Sequence, residues 1–182
     1  MVSIVVPFRS PDGKSRLALP ARERDAIAAA MLADVLAAAR EVGLTSVADG
    51  DGGQGAAVAR ALGSVPDGRV LVVNADLPCA RPRDLLALLG ALPDEGIAVV
   101  AAPDGTTNAL ALTAPRLFAP LYGPGSAARF IEHARHVGVR GIHVSLPALE
   151  DDVDTLDDLE RVEASLGLNT RAAVLALRVP AA

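Results

Sequence analysis

Short aliphatic runs alternating with longer stretches of helical spacing constrain this chain more than any other feature. Residues 2–6 and 69–73 are dominated by Val, Ile and Leu, and strands that are apolar on both faces belong inside a sheet covered on both sides. Pro7 closes the first run, and a loop over residues 8–20 is expected after it. Residues 22–42 carry Ile27, Met31, Leu32, Val35 and Leu36 at helical spacing among many Ala, with Gly43 ending the pattern. Further strands are expected at 44–48, 97–101, 108–112 and 141–145. Helices are expected from the glycine-rich stretch 49–55 through Leu62, over 83–92, over 126–137, and from Thr155, where Asp158 completes a capping box. The alternation predicts an α/β chain with a mostly parallel sheet.

Composition narrows the function. The 182 residues contain no repeat, low-complexity stretch or linker, so one domain over residues 1–182 is expected. Hydrophobic residues make up 51%, yet only Phe8, Phe118, Phe130 and Tyr122 are aromatic, which leaves Ala, Val and Leu to build the core. No apolar run approaches the roughly 18 residues that cross a bilayer, and the first residues lack signal-peptide features; a cytoplasmic protein without membrane contact is expected. A formal charge of −5 argues against a nucleic-acid groove. One cysteine cannot form an internal disulfide, and three histidines show no zinc-site spacing.

In open α/β sheets ligands bind beyond the carboxyl ends of strands, and two acidic clusters stand at such positions. Asp76 follows the strand at 69–73, with Pro78 ending the run. Asp152 and Asp154 lie in the acidic stretch 150–154, and a separation of two in extended backbone turns both carboxylates the same way. Such a pair facing a third carboxylate makes an oxygen cage for magnesium; the same residues also read as a solvated turn at a helix N-terminus. Gly123-Pro124-Gly125-Ser126 precedes a helix and offers a phosphate site, or an ordinary turn with Ser126 as N-cap. Gly105-Thr106-Thr107-Asn108 offers further donors. Lys14, the sole lysine among 17 basic residues, and Arg16 lie in the first loop, placed to meet phosphates. Gly13-Lys14-Ser15 imitates the tail of a P-loop, but the required earlier glycine falls at Phe8.

Gly50-x-Gly52-x-x-Gly55 matches a dinucleotide fingerprint with Asp76 about 20 residues on. Its preceding strand is short and polar, and it does not open the first βαβ unit. Cys79 reads as a small buried residue whose thiol nearby carboxylates would blunt. His133 and His136 read as surface residues.

The order Val5-Val6-Pro7, Lys14-Ser15-Arg16-Leu17, Asn74-Ala75-Asp76-Leu77-Pro78, Gly105-Thr106-Thr107-Asn108-Ala109-Leu110, Tyr122-Gly123-Pro124-Gly125-Ser126 and Asp152-Val153-Asp154-Thr155 resembles the 2-phospho-L-lactate or phosphoenolpyruvate guanylyltransferases of coenzyme F-420 biosynthesis. The resemblance implies a three-layer sandwich of the nucleotide-diphospho-sugar transferase (Rossmann-like) type. It assigns Asp76, Asp152 and Asp154 to magnesium, expected as two ions. Gly123, Ser126 and the Thr107-Asn108 step fall to the phosphorylated acid, and Lys14 and Arg16 to the nucleotide's phosphates, Lys14 balancing the departing pyrophosphate. The run Gly52-Gly53-Gln54-Gly55 resembles the family's Gly-Leu-Asn segment near the nucleotide, with Gln54 in place of Asn, which places Gly53 and Gln54 beside GTP and leaves base choice open there. The reaction implied joins GMP from GTP to the phosphate of phosphoenolpyruvate or 2-phospho-L-lactate and releases pyrophosphate. The partners expected are GTP and that acid; a homodimer is compatible with the sequence. The competing expectations are another nucleotidyltransferase of this fold, acting on molybdopterin or a sugar phosphate, and a non-catalytic dinucleotide-binding module.

Overall fold

The computed structural model describes residues 1–8 and 16–178, so Lys14 and the last four residues lie outside the described residues. The chain begins with β1 (Ser3–Pro7), α1 (Ala21–Arg40), β2 (Leu44–Ala48), α2 (Gln54–Leu62), β3 (Val70–Val73) and α3 (Pro82–Ala91). It continues with β4 (Gly96–Ala101), β5 (Thr107–Leu112), α4 (Ser126–His136), β6 (Arg140–His143), the single turn α5 (Pro147–Glu150), α6 (Leu156–Arg161) and α7 (Leu168–Leu177).

Among the described residues six strands form one sheet in the order β2-β1-β3-β5-β4-β6. β1 pairs in parallel with β2 and β3, and β4 with β6; β5 runs antiparallel to both β3 and β4. The mostly parallel sheet is therefore as expected, with one reversed strand inside it. The reversal follows from the short connection between β4 and β5, where Gly105 at φ +81° turns the chain directly back. Parallel neighbours need a longer crossover.

The central strands sort their side chains by period two. Ile4, Val6, Leu71, Val73, Ala98 and Val100 pack on one face against α1 and α3. Val5, Val70, Val72, Ile97, Val99 and Leu110 pack on the other against α2 and α4. Helices on both faces make the three-layer sandwich. Phe130 of α4 anchors the second layer, with Tyr122 edge-on to it at 5.5 Å between ring centres.

A third, smaller core gathers Leu17, Ile27, Met31, Cys79, Val153, Leu159, Val162 and Leu166 beneath the carboxyl ends of β1 and β3. It is roofed by α7, which the periodicity reading did not foresee. That helix is held by a distant group: Asp34, midway along α1, accepts hydrogen bonds from the Asn169 main-chain N–H at 3.0 Å, the Asn169 amide at 2.9 Å and the Thr170 N–H at 2.8 Å. The N-cap residue Gly167 brings no side chain of its own, so the Asp34 carboxylate does the capping from another helix.

Candidate active site

A cleft of about 390 Å³ opens over the carboxyl ends of the parallel strands. Every site residue expected from the sequence that lies among the described residues lines it: Arg16, Gly53, Gln54, Asp76, Thr107, Asn108, Gly123, Ser126, Asp152 and Asp154. Lys14 lies outside the described residues.

At its centre Asp76, Asp152 and Asp154 each turn a carboxylate oxygen inward, all within 4.8 Å of one another. Two local devices bring them together. The Val153 N–H donates to the Asp76 carbonyl at 3.0 Å, joining the segment 152–154 to the end of β3. Val153 itself is buried in the third core, so the residues flanking it are thrown to the opposite side, into the cleft. The Thr155–Asp158 capping box forms as expected, with Thr155 N–H donating to Asp158 at 2.9 Å, and it fixes where this segment ends.

The charge of Asp152 is disfavoured where it stands. Burial raises the Asp152 pKa above the ordinary aspartate range; the Asp76 charge raises it further, the Asn108 hydrogen bond pulls the other way, and Asp154 adds to the rise. Three crowded carboxylates with hard oxygen donors suit a divalent cation, whose charge would relieve the repulsion. Arg16 meets the triad from the first loop, its guanidinium 3.2 Å from Asp154. Leu17, fully buried next to it, anchors the chain there.

One arm of the cleft lies between β5 and α4. The Thr107 and Ser126 hydroxyls are 2.9 Å apart and almost wholly buried, at 2% and 0% exposure. Ser126 is the first residue of α4 with its hydroxyl paired to Thr107, so it is not the N-cap; Gly125 fills that place in the left-handed region at φ +67°. The side chain of Asn108 turns away from this arm. Its amide donates to the Glu150 carbonyl at 2.9 Å and to Asp152 at 3.3 Å, buttressing the triad. Thr106 donates twice to Asp104 at the rim, through its hydroxyl and its N–H, and lowers that carboxyl's pKa.

The other arm lies along β2 and the start of α2, where Gln54 donates to Asn74 at 2.7 Å and Asn74 donates to the Thr107 carbonyl at 3.1 Å. Asn74 and Tyr122, which also lines the cleft, were legible only as members of motifs. The glycines at 50–55 sit beside an edge strand, and Asp76 stands with two other aspartates, not alone at the end of a ribose-reading strand. Cys79 is buried, which is the main reason its thiol pKa is raised. His133 faces the Leu117 carbonyl at 3.1 Å, away from any acidic cluster.

The MobA-like NTP transferase domain matches residues 16–137, so this open α/β sheet with its acidic triad belongs to the nucleotidyltransferase class. Solved structures agree on the fold. A provisional nucleotide-diphospho-sugar transferase from Desulfovibrio desulfuricans superposes with a TM-score of 0.73 at 14% identity, covering 96% of this chain and 94% of that one. The 2-C-methyl-D-erythritol 4-phosphate cytidylyltransferase of Thermus thermophilus gives 0.57 at 19% identity over 88% and 96%. More narrowly, the chain belongs to the phosphoenolpyruvate guanylyltransferase family. It is 36% identical over 180 residues to the phosphoenolpyruvate guanylyltransferase of Roseiflexus castenholzii, covering 85% of this chain and 84% of the relative. The Thermomonospora curvata protein of that name is 40% identical over 129 residues, covering 70% of this chain and 54% of the relative.

Proposed function

We propose that this chain transfers GMP from GTP to the phosphate of phosphoenolpyruvate, releasing pyrophosphate, with 2-phospho-L-lactate as the alternative acceptor, as a single-domain enzyme of coenzyme F-420 biosynthesis. The observation that carries the reading is the convergence of Asp76, Asp152 and Asp154 within 4.8 Å between two arms of one cleft. The family relationship supports the choice of GMP donor and acid.

The acceptor phosphate is largely ionised near pH 7, so its oxygen attacks the α-phosphorus of GTP without a general base, and the α–β bridging oxygen leaves with pyrophosphate. This accounts for a site built of carboxylates, hydroxyls and amides. The residues position two anions in line and counter the charge that develops. Asp76, Asp152 and Asp154 would hold Mg²⁺, expected as two ions, which would supply charge neutralisation for the transfer. Gly123, Ser126 and Thr107 form the arm for the acid, where the paired hydroxyls, which keep one hydrogen between them to donate, serve an anion at the N-terminal end of α4. Arg16, whose guanidinium lies 3.2 Å from Asp154, and Lys14 would serve the triphosphate.

The test is a pyrophosphate-release assay with Mg²⁺ that crosses GTP, ATP, CTP and UTP with phosphoenolpyruvate, 2-phospho-L-lactate and 3-phosphoglycerate. Release confined to GTP with phosphoenolpyruvate or phospholactate is the expected result. Release with another nucleotide, or with none of the acids, rejects the assignment.

A further inference from the structure

Two amides at the floor of the cleft form a hydrogen-bonded chain whose direction is fixed at one end. The main-chain carbonyl of Thr107 can only accept, and Asn74 Nδ2 donates to it at 3.1 Å. Asn74 therefore turns Oδ1 towards Gln54, and Gln54 Nε2 donates to that oxygen at 2.7 Å. The two ends of a carboxamide are normally interchangeable in outline. Here exchange at Asn74 would set its oxygen against the Thr107 carbonyl, and exchange at Gln54 would set its oxygen against Asn74 Oδ1. What Gln54 has left for a ligand is the second hydrogen of Nε2 and the acceptor Oε1, and the bond to Asn74 fixes which side of the carboxamide that oxygen occupies.

Gln54 opens α2 on the arm of the cleft walled by Pro7, Phe8, Ala48 and Ala57. Apolar walls with a few polar groups among them, Gln54, Asn74 and Asp49, suit a flat heteroaromatic ring. The opposite arm, with its buried hydroxyls, suits an anion instead.

We propose that Asn74 is a positioning residue for base recognition: it holds the Gln54 carboxamide with Oε1 towards the cleft, where it accepts from N1–H and the exocyclic amino group of guanine. This rests on the guanylyl-transfer reading above. Guanine carries two adjacent donors on that edge. Adenine places an acceptor, N1, at the matching position and meets Oε1 oxygen-to-lone-pair. Orientation is the whole of the Asn74 contribution, because a freely turning glutamine would serve either base.

The test titrates GTP, inosine triphosphate and ATP calorimetrically into the full chain with Mg²⁺ and no acid. The wild type should bind GTP more tightly than inosine triphosphate, which lacks the amino group, and ATP least tightly. In Asn74→Ala the GTP-to-ATP affinity ratio should fall at least about fivefold, the scale of one hydrogen bond. Adding Gln54→Glu to that variant should restore the ratio, since a carboxylate presents an acceptor whichever way it turns. A purely structural Asn74 would lower affinity for all three nucleotides alike, and the second substitution would not recover selectivity. Gln54→Leu, with Asn74 intact, should erase the preference for GTP over inosine triphosphate, and it decides the matter should Asn74→Ala not fold. An unchanged GTP-to-ATP ratio in the single variants overturns this inference and leaves guanylyl transfer standing. A wild type that binds ATP as tightly as GTP overturns both.

Discussion

The side-chain amide of Asn108, one residue into β5, donates to the carboxylate of Asp152 at 3.3 Å and to the Glu150 carbonyl at 2.9 Å. It thereby ties the reversed strand to the acidic segment after α5. A group that orients a ligand oxygen from behind is worth about 10–100-fold in metal affinity. Asn108→Leu should weaken Mn²⁺ binding within that range while leaving the fold intact. Calorimetric titration of the metal alone reads it, and an unchanged affinity would show that Asp152 needs no such support.

The buried Asp152 carboxylate makes the stability of the metal-free chain depend on pH. Burial, with help from Asp76 and Asp154, raises the Asp152 pKa, so the native chain without metal binds more protons than the unfolded one between the ordinary aspartate range and the raised value. Stability then falls as pH rises through that window and stays lower above it. Asp152→Asn carries no such loss. In EDTA at pH 7 it should melt above the wild type, with the gap closing at pH values below the ordinary range, while turnover with Mg²⁺ falls by about 100-fold or more. Thermal melts at the two pH values, paired with pyrophosphate release, measure both effects; a variant that melts below the wild type at pH 7 contradicts the raised Asp152 pKa.

The cap of α6 titrates in the opposite direction. Burial alone would raise the Asp158 pKa, but hydrogen bonds from Arg161, Thr155 and the Asp154 N–H outweigh it and lower the value to about 2. This contribution is present in full above the ordinary aspartate pKa and is lost as pH falls through about 2. Thr155→Ala, which removes the N-cap hydroxyl, should cost about 1 kcal/mol at pH 7 in urea denaturation.

Gly167 is required by space. A Cβ there would lie 2.2 Å from the Asp34 carboxyl carbon, although the backbone at φ −63° is open to any residue. Gly167→Ala should push Asp34 off the α7 N-terminus and cost about 1–3 kcal/mol, the scale of leaving buried partners unmade. Asp34→Ala should cost a similar amount, and the double variant less than the sum, because both remove one interaction. Strict additivity would separate the two residues.

Lys14→Ala should raise the KM for GTP about tenfold with little effect on the KM for the acid, as expected of one charged contact to a phosphate. Steady-state kinetics with each substrate varied in turn discriminate this, and an equal rise for both would place Lys14 elsewhere.

Local order was legible in the sequence because it depends on near neighbours. Continuous aliphatic runs gave β1, β3 and β4, helical spacing gave α1, and Thr155 with Asp158 marked the start of α6. The separation of two between Asp152 and Asp154 already implied that they face one way. Motif order brought Asp76, Thr107, Gly123, Ser126, Gln54 and Arg16 to notice as candidates, one by one. Tertiary structure decided what no spacing encodes: that β5 runs backwards between β3 and β4, that a main-chain hydrogen bond from Val153 joins the acidic segment to Asp76, and that Asn108 serves a carboxylate. It also decided that Asp34 caps a helix begun far along the chain, and that the Thr107 carbonyl fixes the direction of the hydrogen bond between Gln54 and Asn74. Each of these depends on which strands become neighbours, a property of the packed chain as a whole, whereas the elements themselves follow from sterics and hydrogen bonds a few residues apart.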